Sequence, residues 1–311
     1  MSVAVPNKSA SPTSSVRVGS IPTPVWLDRT LATSDFREIT IDKLCIQIYD
    51  SENVSLLKVK FPGLSHLAGD ALADAVRQCY RNVGELVRAR NARPIRFWNF
   101  IPGILRRHSN GMSSYEYFNS GRFDALRSWM GEIASERLAV ATAVGAPGDD
   151  YLLHVLIDSH PARPIENPRQ ISPHCYSKRY GPAPPVFARA CILTPSQRNL
   201  LGCSALVSGT ASIVGEDTEH RGDLAGQIDE TCRNLASLSN ALAGKEAATL
   251  QDALDRYDAL RVYVPHVDNH AEVRDRFQEI FRVASALEFV QVDLCRPDLL
   301  LEVEGTLSFP E

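Results

Sequence analysis

Hydrophobic positions along the chain follow two spacings, and the order in which those spacings occur is nearly the same in its two halves. Residues 55–61, Ser-Leu-Leu-Lys-Val-Lys-Phe, read as a strand. A helix is expected over 66–88, where Leu67, Leu72, Ala75, Val76, Val83 and Val87 return near helical spacing. A strand at 95–100, a helix at 115–137 and strands at 138–144 and 151–157 complete the first set. The second set begins with a strand or bent strand pair at 203–214 and a helix at 223–242 carrying Leu224, Ile228, Leu235, Leu238 and Leu242. A strand at 260–264, a helix at 268–286 and strands at 288–293 and 299–303 follow. Two pseudo-equivalent α+β units are therefore expected, repeated in element order rather than in residue identity.

Between the sets runs a proline-rich connection, residues 161–185, with Pro161, Pro164, Pro168, Pro173, Pro182, Pro184 and Pro185. Connections of that length are more often functional than idle. The boundaries expected are an arm over 1–24, a first domain over 25–160 and a second, carrying the active site, over 161–311. The arm is rich in Ser, Pro, Val and Ala without a period, and is expected to be flexible.

One segment breaks the ordinary strand pattern. Residues 206–215, Leu-Val-Ser-Gly-Thr-Ala-Ser-Ile-Val-Gly, pass from apolar to small to apolar without a charge. A thin strand interior at Gly209, Ala211 and Ser212 fits a bulged, tightly packed strand, and it fits equally the close approach of a ligand or backbone.

Composition narrows the class. The 311 residues are 44% hydrophobic and 23% charged, with a net charge of -4, which suits a globular chain and argues against a general nucleic-acid binder. Seven cysteines fall at 45, 79, 175, 191, 203, 232 and 295 without a C-x-x-C pair, as expected for reduced thiols in the cytoplasm rather than a zinc or redox motif. The sequence holds neither an apolar run of about 18 residues nor the pattern of a secretory signal, so a cytoplasmic protein without membrane partners is expected. His266 and His270 have a metal-like spacing but no nearby ligands, and no metal is expected.

Three places could carry chemistry. Arg189 interrupts the apolar run 186–193; it reads as a solvent-facing charge or as a fork for a substrate carboxylate. Arg122 is a surface cation or a second anion donor. In 299–304 Leu301 and Val303 point one way and Glu302 and Glu304 the other. That face is either a wet acidic edge or the wall of a pocket in which one desolvated glutamate serves as a general acid near neutral pH.

Six segments taken in order resemble the chorismatase family. They are Ile-Arg-Phe-Trp-Asn-Phe-Ile-Pro-Gly-Ile at 95–104, Tyr-x-x-Phe-Asn-x-Gly-Arg at 115–122, Glu-Asn-Pro-Arg-Gln at 166–170, Tyr-Gly-Pro at 180–182, Ser-Gly-Thr-Ala-Ser-Ile-Val-Gly at 208–215 and Cys-Arg-x-Asp-Leu-Leu-x-Glu at 295–302. The resemblance covers roughly residues 40–311; the basic run after Ile104, Leu-Arg-Arg-His-Ser-Asn-Gly-Met, and His174-Cys175 depart from the family pattern. It implies two RidA/YjgF-like (chorismate mutase-like) α+β units in one chain, with helices packed on mixed β-sheets.

The resemblance also implies an activity. Chorismate would be the small-molecule substrate, pyruvate a product, and no metal or organic cofactor would be needed. Glu302 would protonate the enolpyruvyl ether, with Gly209 and Cys295 marking the branch that makes 3-hydroxybenzoate by attack of the substrate's own ring hydroxyl. Tyr115, Arg122, Tyr180, Arg189 and Thr210 would hold the substrate. Alternatives are a mixture of 3- and 4-hydroxybenzoate, hydrolysis to a dihydroxycyclohexadiene carboxylate, imine hydrolysis as in small RidA proteins, or ligand binding without turnover. The oligomeric state is left between monomer and trimer.

Overall fold

The computed structural model describes residues 16–17, 23–31, 36–52 and 54–309, so most of the arm expected over 1–24 lies outside the described residues. Its elements run β1 (Val16–Arg17), α1 (Val25–Leu31), β2 (Phe36–Ile41), β3 (Leu44–Ser51), β4 (Val54–Phe61), α2 (Asp70–Ala89), β5 (Arg93–Pro102), α3 (Ser114–Met130), β6 (Val140–Ala146) and β7 (Tyr151–Asp158). After them come β8 (Arg163–Ile165), β9 (Ala190–Ile192), α4 (Pro195–Leu201), β10 (Ala205–Thr210), β11 (Ile213–Val214), β12 (Asp217–Thr218), α5 (Leu224–Ala243), α6 (Leu250–Leu254), β13 (Tyr257–Val264), α7 (His270–Ile280), β14 (Ala286–Gln291) and β15 (Glu302–Leu307).

Duplication is visible in the strand order. One sheet runs β2-β3-β4-β7-β5-β6, the other β1-β14-β13-β15-β10-β9-β8. The block β4-β7-β5-β6 matches β10-β15-β13-β14 in both order and direction: antiparallel, antiparallel, then parallel. In each block two helices separate the first three strands in sequence, α2 and α3 in one and α5 and α7 in the other. The chain is thus two α+β units with helices on mixed sheets, and β15 is a central strand rather than an edge.

Alternation decides which side chains meet between the units. Val303 and Leu301 join the apolar cluster of Ile228, Leu235 and Phe277 beneath α5 and α7. Glu302 and Glu304 project to the opposite side, with Tyr263 and Arg261 as their cross-strand partners on β13. That side faces the first unit, which touches the second through the Ala188 N–H donating to Ala139 O just ahead of β6 and the Gly145 N–H of β6 donating to Asp293 O at 2.7 Å. A Cβ on Gly145 would lie 3.0 Å from that of Asp293, so a larger residue there would push the units apart. Helix α1 touches both units: Trp26 meets Trp98, and Val25 N–H donates to Glu288.

Several expected elements are shorter than their patterns. The helix expected to reach 137 stops at Met130 because Gly131 takes a φ of 78°, outside the helical range. The helix expected over 268–286 spans His270–Ile280, since Ala286 must already pair with Ala259 in the parallel ladder. The strand expected at 186–193 contracts to Ala190–Ile192: the Val186 carbonyl accepts instead from Arg122. Two strands not expected, β2 and β3, precede the first unit's block, and the buried alternation Leu44, Ile46, Ile48 is their signal.

Candidate active site

The thin segment 206–215 is both a bulged strand and a cavity wall. Its register with β15 slips between Val207 and Thr210. The bulge frees the Gly209 N–H from the ladder, and it donates instead to Thr142 Oγ1 of β6 at 3.1 Å. Ser208 ties the same turn to the first unit, donating to Ala188 O and accepting from Ala141 N–H. Gly209 is then carried against the side chain of Glu302, where a Cβ would sit 2.8 Å from Glu302 Cδ and closer still to Oε1. An added methyl would therefore displace the carboxyl of Glu302 before it reached a substrate ring.

Glu302 is 5% exposed and faces a cavity of about 500 Å³ between the two units. Burial, reinforced by the negative charge of Glu304, pushes its carboxyl up to about 8, although Arg189 and Arg296 pull the other way. Cys295 Sγ lies 4.0 Å from Glu302 Oε2, with a thiol pushed up to about 12 chiefly by burial and next by Glu302 itself. A carboxyl in this state keeps its proton at neutral pH and can give it to a basic carbon.

Glu304, two residues along the same face, has the opposite character. Its carboxylate accepts from Arg96 Nη2 at 2.8 Å, Thr142 Oγ1 at 2.6 Å and Trp98 Nε1 at 2.9 Å. Although burial opposes ionisation, Arg96, Arg261 and these donors hold it below the usual carboxylate range. One strand thus presents an acid that retains its proton beside one that loses it.

Six arginines are set in the remaining wall. Arg107 leans on Glu116 at 3.6 Å, Arg179 pairs with Glu216 and Asp217, and Arg221 pairs with Asp298 at 3.1 Å. Among the described residues, Arg122, Arg189 and Arg296 also line the cavity but have no carboxylate within 4.0 Å. Arg122 is held by Tyr80 Oη at 2.9 Å and Val186 O at 2.6 Å, leaving Nη2 buried without a hydrogen bond. Arg189 is held by Tyr176 Oη at 2.6 Å and Ile171 O at 3.2 Å, leaving Nε so. Glu166 feels the charge of Arg189, although burial raises its carboxyl above the usual value. Arg296 donates to Glu216 O at 2.9 Å and lies 4.0 Å over the Tyr180 ring. A buried cation without a counter-charge is costly, and an anionic ligand would relieve Arg122 and Arg189, with the half-buried Arg296 beside them.

Seven of the eight residues expected at the site, Glu302, Cys295, Gly209, Tyr115, Arg122, Tyr180 and Arg189, line this one cavity. Tyr115 stacks on Phe118, and burial with the nearby Cys295 keeps its phenol well above the usual range, so it is a hydrogen-bond donor. Tyr180 Oη donates to Asp217 at 3.1 Å. Thr210 stands apart: it is buried off the lining, and its hydroxyl donates to Ser208 O at 3.0 Å. The alternation that turns Gly209 inward turns its neighbour away.

Other motif residues build the wall rather than the chemistry. Asn167 Nδ2 donates to Asn234 O, Arg169 Nε to Asn234 Oδ1 and Gln170 Nε2 to Ile213 O, while Asn234 Nδ2 donates to Ala211 O and Ile213 O. These bonds clamp the connection and the Ala211–Ile213 turn onto α5. Gly121 lets α3 close on α2, where a Cβ would meet the Ala73 backbone. Arg296 and Thr142 are site residues that sequence reasoning missed. The first sat inside a recognised motif beside Cys295, and the second carries no local signal. Among the described residues no group of three or more His, Cys, Asp or Glu is placed to hold a metal ion, and no helix is long and apolar enough to cross a membrane.

The family model described as chorismatase FkbO/Hyg5-like, N-terminal, matches residues 37–157. A 3-hydroxybenzoate synthase from Streptomyces hygroscopicus is 34% identical over 239 residues, covering 75% of this chain and 69% of the relative. A chorismatase from Streptomyces rapamycinicus is 34% identical over 215 residues, covering 68% of this chain and 63% of the relative. Among solved structures, a crystal structure of a chorismatase aligns with a TM-score of 0.75 at 29% identity, over 88% of this chain and 79% of that one.

Proposed function

The chain belongs to the chorismatase family, and on that premise we propose that it cleaves chorismate, with Glu302 as the acid, and releases pyruvate. The observation that carries the reading is a carboxyl raised to about 8 facing a cavity in which, among the described residues, Arg122, Arg189 and Arg296 have no carboxylate partner within 4.0 Å. Chorismate is a dianion bearing an enol ether. Its two carboxylates suit Arg122, Arg189 and Arg296, whose guanidinium groups bind carboxylates in a fixed plane.

Glu302 would donate its proton to the terminal methylene of the enol ether. The positive charge then falls on the adjacent ether carbon as an oxocarbenium centre, and the nucleophile decides which bond to the ether oxygen breaks. The substrate's own ring hydroxyl would attack the neighbouring ring carbon, whose bond to the ether oxygen breaks so that pyruvate leaves with that oxygen as its carbonyl; opening of the resulting epoxide with loss of a ring proton restores aromaticity, no water is consumed, and chorismate splits into hydroxybenzoate and pyruvate. Water would instead add to the oxocarbenium carbon, and collapse of the hemiketal breaks the bond between that carbon and the ring oxygen: one water is consumed, pyruvate leaves, and the ring keeps both oxygens as a dihydroxycyclohexadiene carboxylate.

The first outcome, 3-hydroxybenzoate, is the product proposed. Gly209 and Cys295 both border Glu302 in the cavity, and they are the residues by which the sequence resembles the 3-hydroxybenzoate branch. Incubating the protein with chorismate, assaying pyruvate and separating the aromatic products by chromatography tests the proposal. Stoichiometric pyruvate with 3-hydroxybenzoate is expected. Pyruvate with the diene acid would overturn the product assignment, and no pyruvate would leave a binding protein. The three domains proposed, 1–24, 25–160 and 161–311, place the acid and Gly209 in the third and Tyr115 and Arg122 in the second, so either half alone is expected to be inactive.

A further inference from the structure

Behind the cavity wall, four residues from three strands form a closed polar cluster in an otherwise apolar seam. Thr142 Oγ1 donates to Glu304 and accepts from both Arg96 Nη2 and the Gly209 N–H. Arg96, 1% exposed, also donates to Val207 O at 2.7 Å and stacks on Trp98 at 4.7 Å, and Trp98 donates to the second carboxylate oxygen of Glu304. The cluster thus joins β5 and β6 of the first unit to the bulge of β10 and to β15. A buried Arg–Glu pair is an uncertain source of stability, because desolvation offsets much of the attraction. Its position, two residues from the acid on the same face, gives it another use.

We propose that Glu304 is a positioning residue for Glu302: a fixed negative charge behind the cavity wall that adds to burial in keeping its neighbour a proton donor, and that is tied through Thr142 to the bulge holding Gly209 against it. This inference rests on the proposed role of Glu302 as the acid. Glu304 is not among the residues that line the cavity, so it is not expected to touch substrate. The charged and titratable groups facing the pair are Arg261 and Tyr263 on β13, Arg96 on β5, Arg189 ahead of β9, Cys295 and Arg296 after β14, and Tyr115 on α3. Arg189 and Arg296 favour ionised Glu302, while Glu304 is the charged neighbour that opposes it. Its own ionisation is secured by Arg96, Arg261, Thr142 and Trp98, so the opposing charge persists across the working pH range. The same hydroxyl that secures Glu304 also holds Gly209 against the Glu302 side chain, which couples the charge to the geometry of the acid.

The test follows the titration of Glu302 directly by carbon-13 NMR of the labelled carboxyl, assigned with Glu302→Gln, alongside the pH profile of kcat. In Glu304→Gln the midpoint of Glu302 and the alkaline limb of kcat are expected to move down by about one pH unit. Because that variant orphans Arg96 and could fail to fold, the charge-balanced Arg96→Gln/Glu304→Gln is measured beside it, with the same downward shift expected. A midpoint that stays in place in a folded variant would overturn the inference, showing the cluster to be structural. The two readings fail separately: turnover retained by Glu302→Gln would remove the catalytic assignment, whereas an unmoved midpoint would remove only the role of Glu304.

Discussion

Gly209 and Glu302 occupy the same space by halves: a Cβ on the glycine would stand 2.8 Å from the Cδ of the glutamate. The carboxyl is where it is because the glycine has no side chain, and the bulge that brings them together is held by Thr142. Gly209→Ala is expected to push the acid aside, lowering kcat on the order of 10- to 100-fold and raising the share of the hydrolytic diene acid at the expense of 3-hydroxybenzoate. Product chromatography reads both effects. A product ratio that does not move would separate Gly209 from product choice.

Glu302→Gln keeps the shape of the side chain and removes the proton. Pyruvate release is expected to fall by at least about 10²-fold, the usual contribution of a placed general acid, with circular dichroism unchanged. Activity within a few-fold of the parent would sink the assignment.

Because Glu302 is raised to about 8, activity is expected to decline as pH rises through that value. Stability follows the same group. The folded state holds a proton that the unfolded chain releases near the ordinary carboxyl value of 4.5, so the contribution of Glu302 is complete below that value and is lost as pH rises towards about 8. The slope from this one residue is at most about 1.4 kcal/mol per pH unit. Urea unfolding of Glu302→Gln and the parent at several pH values checks it: the two are expected to diverge as pH rises, with the variant gaining.

Arg296 contributes a charge that favours ionised Glu302 and a guanidinium that faces the cavity. Arg296→Ala is expected to raise KM about tenfold through loss of a charged hydrogen bond, and to move the alkaline limb of kcat to higher pH. A limb that moves down would contradict the electrostatic account.

Arg189→Lys tests geometry rather than charge. Lysine keeps the cation but cannot hold Tyr176 and Ile171 while also presenting a planar fork, so KM is expected to rise about tenfold despite the conserved charge. Steady-state kinetics against the parent decides; an unchanged KM would place the substrate carboxylate elsewhere.

Local pattern determined much of this protein. The spacing of Leu72, Val76 and Val83, or of Ile228, Leu235 and Leu238, is enough to place α2 and α5, because a helix must bury one stripe. The order of helices and strands carried the duplication. Alternation in 301–304 put two glutamates on one face, and it could not say whether that face was wet, since burial depends on what lies opposite. Only the tertiary structure set β15 between β10 and β13 and brought Arg96, Trp98 and Thr142 from the first unit against it. That contact spans more than 150 residues of sequence and leaves no periodic trace. It made one glutamate a carboxylate and left its neighbour a buried acid, because protonation is fixed by desolvation and nearby charge rather than by residue type.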